Sequence, residues 1–142
     1  MKKILVFTIF VAVMVLVSTC FTFADNVEEP VNDPINPEYV TVKIVTAQLA
    51  KSNGEALCRV NAEAKDGSTA NKMVVTVKYI KQNVGTVGTR TATAYRSGVS
   101  FTATTRMALT SSGSYHCKVT VQLYNGSTLL ESVNVLTNTI SY

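Results

Sequence analysis

The sequence predicts an all-β sandwich of about seven antiparallel strands, and three features of the chain carry this prediction. Valine and threonine, whose branched side chains favour extended backbone, are abundant. Apolar and polar residues alternate with a period of two over much of residues 39–142, and turn signals recur about every 10 residues. No stretch of this segment has a convincing helical period.

The first 24 residues have the layout of a secretory signal peptide. A positively charged start precedes an apolar run from Ile4 to Val17, and small and polar residues follow as far as Ala24. We expect cleavage after Ala24. Two alternatives stay open, because residues 4–24 are long enough to be kept as a membrane anchor and Cys20 could carry a lipid. All three alternatives predict a secreted or cell-surface domain, and we expect contact with the membrane only through the N-terminal signal, if it is retained or lipidated.

Charge divides the rest of the chain into two regions. Residues 25–38 carry five carboxylates, no basic residue and all three prolines, so we expect an extended leader, either a spacer or a solvated tail. From Tyr39 onward, 11 basic residues stand against four acidic ones, which gives this segment a net charge of +7. The predicted organisation is therefore a signal peptide (1–24), an acidic leader (25–38) and a sandwich domain (39–142).

The strands follow from the alternation and from the turns between them. In the first strand the apolar positions change phase after Ile44, which indicates a bulge. The fourth is rich in threonine and weakly patterned, so we expect an edge or connecting strand. Asn125-Gly126 is the strongest hairpin signal in the chain. The strands are predicted at residues 39–50, 56–65, 72–81, 89–95, 99–109, 114–124 and 129–140.

Two cysteines remain after the predicted cleavage, Cys58 on the second strand and Cys117 on the sixth, and alternation turns both inward. An even pair in an oxidising compartment predicts one disulfide, which would join the two sheets. The alternative is a pair of buried thiols that act as small apolar side chains.

A short run around the second cysteine carries a resemblance. Residues 113–117, Gly-Ser-Tyr-His-Cys, form a G-x-Y-x-C pattern that, with the two cysteine-bearing strands, resembles immunoglobulin-like domains. The resemblance implies an immunoglobulin-like sandwich in which Tyr115 forms the tyrosine corner, with its hydroxyl bonded to backbone upstream. The sequence departs from the pattern at Ser111, where aspartate is usual. It also lacks tryptophan, so we expect Met73 or Val75 to fill that core position.

A wider resemblance covers nearly the whole predicted domain. Its segments are IVTAQLAKSNGEALC (44–58), VVTVKYIK (74–81) and GSYHCKVTVQLYNG (113–126). In this order they resemble a family of small uncharacterised exported proteins of Gram-positive, Clostridia-type bacteria. The resemblance implies export and a β-sandwich, and it implies no particular chemistry.

The chain offers little for catalysis or for binding a metal ion. His116 is the single histidine, and it alternates out of phase with the inward residues, so we expect it to face outward. A catalytic triad needs a base oriented by a carboxylate, and a zinc site needs three or four ligands. We find no pairing among the four carboxylates of the domain that would serve either purpose. The sequence therefore predicts a protein that is not an enzyme and has no cofactor.

The positive charge of the domain is the feature of the sequence that indicates a function. Alternation turns Lys72 and Lys78 on the third strand and Lys118 on the sixth outward. The immunoglobulin-like resemblance implies that these two strands are neighbours, so we expect the three lysines to share an outer sheet face. Such a face would attract anionic cell-wall polymers, so we predict a binding or structural module at the cell surface. The basic residues are not interleaved with an aromatic platform, and we expect no binding to nucleic acid.

Two variations on this function stay open. The alternative is a secreted effector or inhibitor that acts on a protein target through its loops. Carbohydrate binding is a variant of the first hypothesis, and it would need exposed aromatic rings. The candidates for such rings are Tyr79, Tyr95 and Tyr124.

Overall fold

The computed structural model describes residues 39–142. The predicted signal peptide (1–24) and acidic leader (25–38) lie outside the described residues. In the described range, no helix is long and apolar enough to span a membrane.

Residues 39–142 form eight strands in two antiparallel sheets, as the all-β prediction requires. The first sheet has the order β1-β2-β5, and the second has the order β4-β3-β6-β7 with β8 paired to β6. The predicted seventh strand is divided between β7 and β8. The bounds are β1 (Val42–Ser52), β2 (Glu55–Ala64), β3 (Lys72–Lys81), β4 (Gly85–Tyr95), β5 (Ser100–Ala108), β6 (Ser114–Asn125), β7 (Thr128–Leu136) and β8 (Ile140–Ser141).

The core lies between the sheets and is built from alternate residues of each strand. The strand β5 is regular, with every second residue from Phe101 to Met107 buried and the others exposed. Small inward residues on β2, such as Ala56 and Ala62, leave space for large ones elsewhere, such as Met73 and Phe101. Burying each large apolar side chain contributes roughly 1.5–3 kcal/mol, which is the main stabilisation of the fold.

A bulge in β1 accounts for the phase change seen in the sequence. Val42 pairs with Ala64 and Ile44 pairs with the next residue, Glu63, so one residue of β1 is left over between them. Val42 is therefore buried, while Ile44 is 42% exposed on the outer surface of the first sheet. The bulge lets the same strand continue with inward residues from Val45 onward.

Two polar side chains, one on β7 and one in the segment between β7 and β8, occupy the free edge of β1. The Glu131 carboxylate accepts hydrogen bonds from the backbone N–H groups of Val40, Thr41 and Val42 at 2.9, 2.8 and 3.0 Å. Further along, Asn138 accepts from the N–H of Leu49 at 2.8 Å and donates to its carbonyl oxygen at 2.9 Å. These contacts join the sheets without a shared ladder, and they satisfy backbone groups that an edge strand would otherwise leave open.

Candidate functional site

The inner faces of β2 and β6 bring Cys58 and Cys117 together. Both are completely buried, and as thiols they are close enough to share a hydrogen bond across the core. That hydrogen bond and burial raise the pKa of the Cys117 thiol well above its usual range. The Cys117 thiol is therefore protonated at neutral pH.

Tyr79, which alternation turns inward together with Met73 and Val75, occupies the space beside the cysteines. Tyr79 lies directly opposite Cys117 and is fully buried, so it fills the position expected for Met73 or Val75. Because it is buried, Tyr79 cannot serve as a stacking surface for a ligand. Its hydroxyl shares a hydrogen bond of 2.8 Å with the Thr105 hydroxyl on β5, the partner that a buried tyrosine needs.

Tyr79 makes the stability of the domain decrease as pH rises in the alkaline range. Burial raises the pKa of Tyr79 to about 12, against about 10 for a tyrosine in an unfolded chain. The stability from keeping this group neutral is complete below pH 10 and is lost as pH rises toward 12. We expect the stability advantage of the native protein over Tyr79→Phe to fall by about 2–3 kcal/mol across this range. Urea unfolding of both proteins between pH 9 and 12 measures it, and parallel curves would contradict this role of Tyr79.

Tyr115 fastens the loop that crosses from β5 to β6. Its ring is buried, and its hydroxyl donates a hydrogen bond of 2.6 Å to the carbonyl oxygen of Ser111, four residues upstream. The Lys81 ammonium donates to the Ser111 hydroxyl at 2.9 Å and lies 5.9 Å from the Tyr115 ring centroid. The contacts of Lys81 are therefore with this loop, and we do not include it in the candidate binding surface.

The outer face of the second sheet carries the three lysines that the sequence analysis singled out. Lys78 and Lys118 lie directly opposite each other on β3 and β6, and both are exposed. Neither forms an ion pair with any carboxylate of residues 39–142. Like charges directly opposite in a sheet destabilise it, so the fold tolerates this pair at a cost.

The carboxylates of the described residues lie away from this face. Glu63 pairs with Lys43 at 3.6 Å, and Glu55 pairs with Arg106 at 3.7 Å, both on the outer surface of the first sheet. Glu131 is engaged by the backbone before β1, and Asp66 lies in the loop after β2. In the described part of the chain, the lysines on the outer face of the second sheet therefore form no ion pair with a carboxylate.

Lys72 lies in a different row of the same face. It pairs with Tyr95 on one side and with Tyr124 on the other, so the lysine stands between two aromatic residues. Its ammonium lies 4.8 Å from the centroid of the Tyr124 ring, a cation–π contact. Tyr95 is 74% exposed, whereas Tyr124 is half-buried.

Beside the Lys78–Lys118 pair is a shallow groove of about 250 Å³. The exposed side chain of Leu136, opposite Lys118 on β7, gives the groove an apolar side. The groove thus combines two cations, polar side chains and an apolar wall within one open surface. Its lining residues are Lys78, Lys118, Val119, Thr120, Asn134, Val135 and Leu136.

Among residues 39–142, no group of three or more histidine, cysteine, aspartate or glutamate side chains is placed to hold a metal ion. His116 lies opposite Ile80 on the outer face and is half-buried. No protein-family model matches the chain, and no curated protein matches it in sequence. The properties of the outer face are therefore the basis for a functional hypothesis.

Proposed function

We propose that the protein is an exported, non-catalytic binding module that attaches to an anionic polymer at the cell surface. The single observation that carries this proposal is the opposed pair Lys78–Lys118, exposed and without a carboxylate partner in the described residues. A repulsive pair of this kind is relieved when a negative group binds between the two ammonium ions. The signal-peptide pattern at residues 1–24 supports the extracytoplasmic location.

The surrounding surface favours a polymer over a small enclosed ligand. The groove beside the lysine pair is shallow and open, and Lys72 adds a third positive charge along the same face. An extended polyanion can contact such separated charges at once, so that several weak contacts add up. Binding of this kind is expected to weaken as salt concentration rises, because exposed charges are screened.

We also propose that the sandwich is immunoglobulin-like and that a Cys58–Cys117 disulfide closes it. The two cysteines stand on strands of opposite sheets in the middle of the core, and the Tyr115 hydroxyl bonds upstream backbone, as at a tyrosine corner. An oxidising compartment would favour the bridge over two thiols.

The double variant K78Q/K118Q tests the binding proposal. We expect it to lose about tenfold in affinity for long-chain polyphosphate and for purified Gram-positive cell walls, because both charges of the opposed pair are gone. The matched control is R59Q/R106Q, which removes two exposed charges from the outer surface of the first sheet. Sedimentation or calorimetric titration at several salt concentrations gives the affinities.

Three results would count against the proposal. They are equal losses in the two double variants, binding that does not respond to salt, and absence of binding to either material. Equal losses would mean that only the total charge of the protein matters, while absence of binding would favour a protein target instead.

A further inference from the structure

We propose that the bound polymer is an acidic polysaccharide, that Tyr95 stacks on one of its sugar rings, and that Lys72 pairs with an acidic group beside that ring. This inference rests on the proposed function above and names the class of ligand that the face accepts. It uses a part of the face distinct from the Lys78–Lys118 pair.

Tyr95 provides the aromatic surface. Its side chain is 74% exposed at the end of the edge strand β4, and no hydrogen bond in the described structure engages its hydroxyl. Tyrosine combines an apolar ring with a polar tip, so it suits ligands that are apolar on one face and hydroxylated at the rim. A sugar ring has this character, with C–H groups on its face and hydroxyls around its edge.

Lys72 provides a charge that is held in place. The cation–π contact with Tyr124, at 4.8 Å, holds the ammonium on the outer face, in the same row as Tyr95. A lysine restrained in this way loses less conformational freedom when it binds an anion than a freely moving one. The position between two tyrosines therefore matches a sugar that carries a carboxylate.

The two positively charged rows are separated by a polar strip. Lys72 and Lys78 are six residues apart on β3, which corresponds to roughly 20 Å along the strand. Hydroxyl and amide side chains between the rows can exchange hydrogen bonds with sugar hydroxyls. A ligand that contacts both rows must therefore be an oligomer of several sugars. The strip is formed by Thr76, Thr91, Thr93, Thr120 and Gln122, with the half-buried Val74 between Thr93 and Gln122.

Charge complementarity selects an acidic polymer rather than a neutral one. The outer face carries three lysines, and the carboxylates of the described residues lie elsewhere. Polyphosphate can pair with the lysine ammonium groups but has no ring to stack on Tyr95. Acidic polysaccharides satisfy both the lysines and the tyrosine, so comparing the two ligands isolates the contribution of the sugar.

The experiment titrates the domain with polygalacturonate, with hyaluronate and with long-chain polyphosphate. Replacing Tyr95 by alanine is expected to weaken binding to both polysaccharides about tenfold and to leave polyphosphate binding within about twofold. The matched control is Tyr142→Ala, which removes another partly exposed tyrosine, at the opposite end of the sandwich. Affinity for galacturonate oligomers is expected to rise with length until they span roughly 20 Å.

The outcomes separate this inference from the proposed function. In one outcome, K78Q/K118Q weakens polyphosphate binding while Tyr95→Ala leaves polysaccharide binding unchanged. This result overturns the inference of an acidic polysaccharide, and the proposal of an anionic polymer still stands. A lack of binding to all three polymers overturns both. Loss of polysaccharide binding alone in Tyr95→Ala, with Tyr142→Ala unchanged, supports the inference.

Discussion

Adding a reductant is expected to lower the free energy of unfolding of the domain by about 4 kcal/mol. The proposed Cys58–Cys117 bridge encloses a loop of about 60 residues, and closing a loop of that length removes this much chain entropy from the unfolded state. The native structure changes little, because the two thiols already lie side by side in the core. A small domain has a total stability of about 5–15 kcal/mol, so the loss is a large fraction of the whole.

Urea unfolding with and without reductant measures this effect. The variant C58A/C117A is the control, since its stability should not respond to reductant and should lie near or below that of the reduced native protein. Alkylation in urea before reduction shows independently whether the two cysteines are free thiols. If both cysteines are modified without reductant, and reductant leaves the unfolding midpoint unchanged, the disulfide proposal is wrong.

Replacing Glu131 by alanine is expected to destabilise the domain by about 2–4 kcal/mol, although the side chain lies near the surface. Its carboxylate accepts three backbone hydrogen bonds from the residues leading into β1, and hydrogen bonds to a charged group contribute more than neutral ones. Without the carboxylate, the partly buried N–H groups of Thr41 and Val42 lose their acceptor. The expected result is that the start of β1 detaches from β7.

A second glutamate provides the comparison. Glu63 forms an exposed ion pair with Lys43, so Glu63→Ala is expected to cost less than about 1 kcal/mol. Glu131→Gln keeps one acceptor oxygen, so its stability cost should fall between the costs of Glu131→Ala and Glu63→Ala. Hydrogen exchange at Val40, Thr41 and Val42 should accelerate in Glu131→Ala only. Equal costs for the two alanine variants would show that the three hydrogen bonds contribute nothing specific.

Local patterns in the sequence were sufficient for most of the fold. Alternation located the strands, and the Asn125-Gly126 signal matches the hairpin between β6 and β7. The threonine-rich β4 begins at Gly85, four residues before the predicted start, because exposed residues on both faces of an edge strand leave no alternation to detect. The pairing of β3 with β6 did not come from local patterns; it matches the strand order implied by the immunoglobulin-like resemblance, which had placed Lys78 and Lys118 on one face.

Features that depend on contacts between distant residues could not be predicted in the same way. Glu131 is about 90 residues from its partners, and nothing in its neighbourhood distinguishes it from a solvated carboxylate. The location of Tyr79 beside the cysteines depends on the register of β3 against β6, which alternation alone does not fix. The row formed by Tyr95, Lys72 and Tyr124 depends on two such registers, so the sequence supplied its members but not their arrangement.

The two rows of lysines on the outer face lie at different distances from the point where the chain enters the domain. The chain enters next to Glu131, at one end of the sandwich, and Tyr142 exchanges two backbone hydrogen bonds with Gly113 at the other end. The strands run between these ends, and the row of Tyr95 lies nearer to the first. The Lys78–Lys118 pair lies roughly 20 Å farther along the strands. A polymer bound as proposed would therefore lie along β3, parallel to the strands, with one of its ends close to the point where the chain enters the domain.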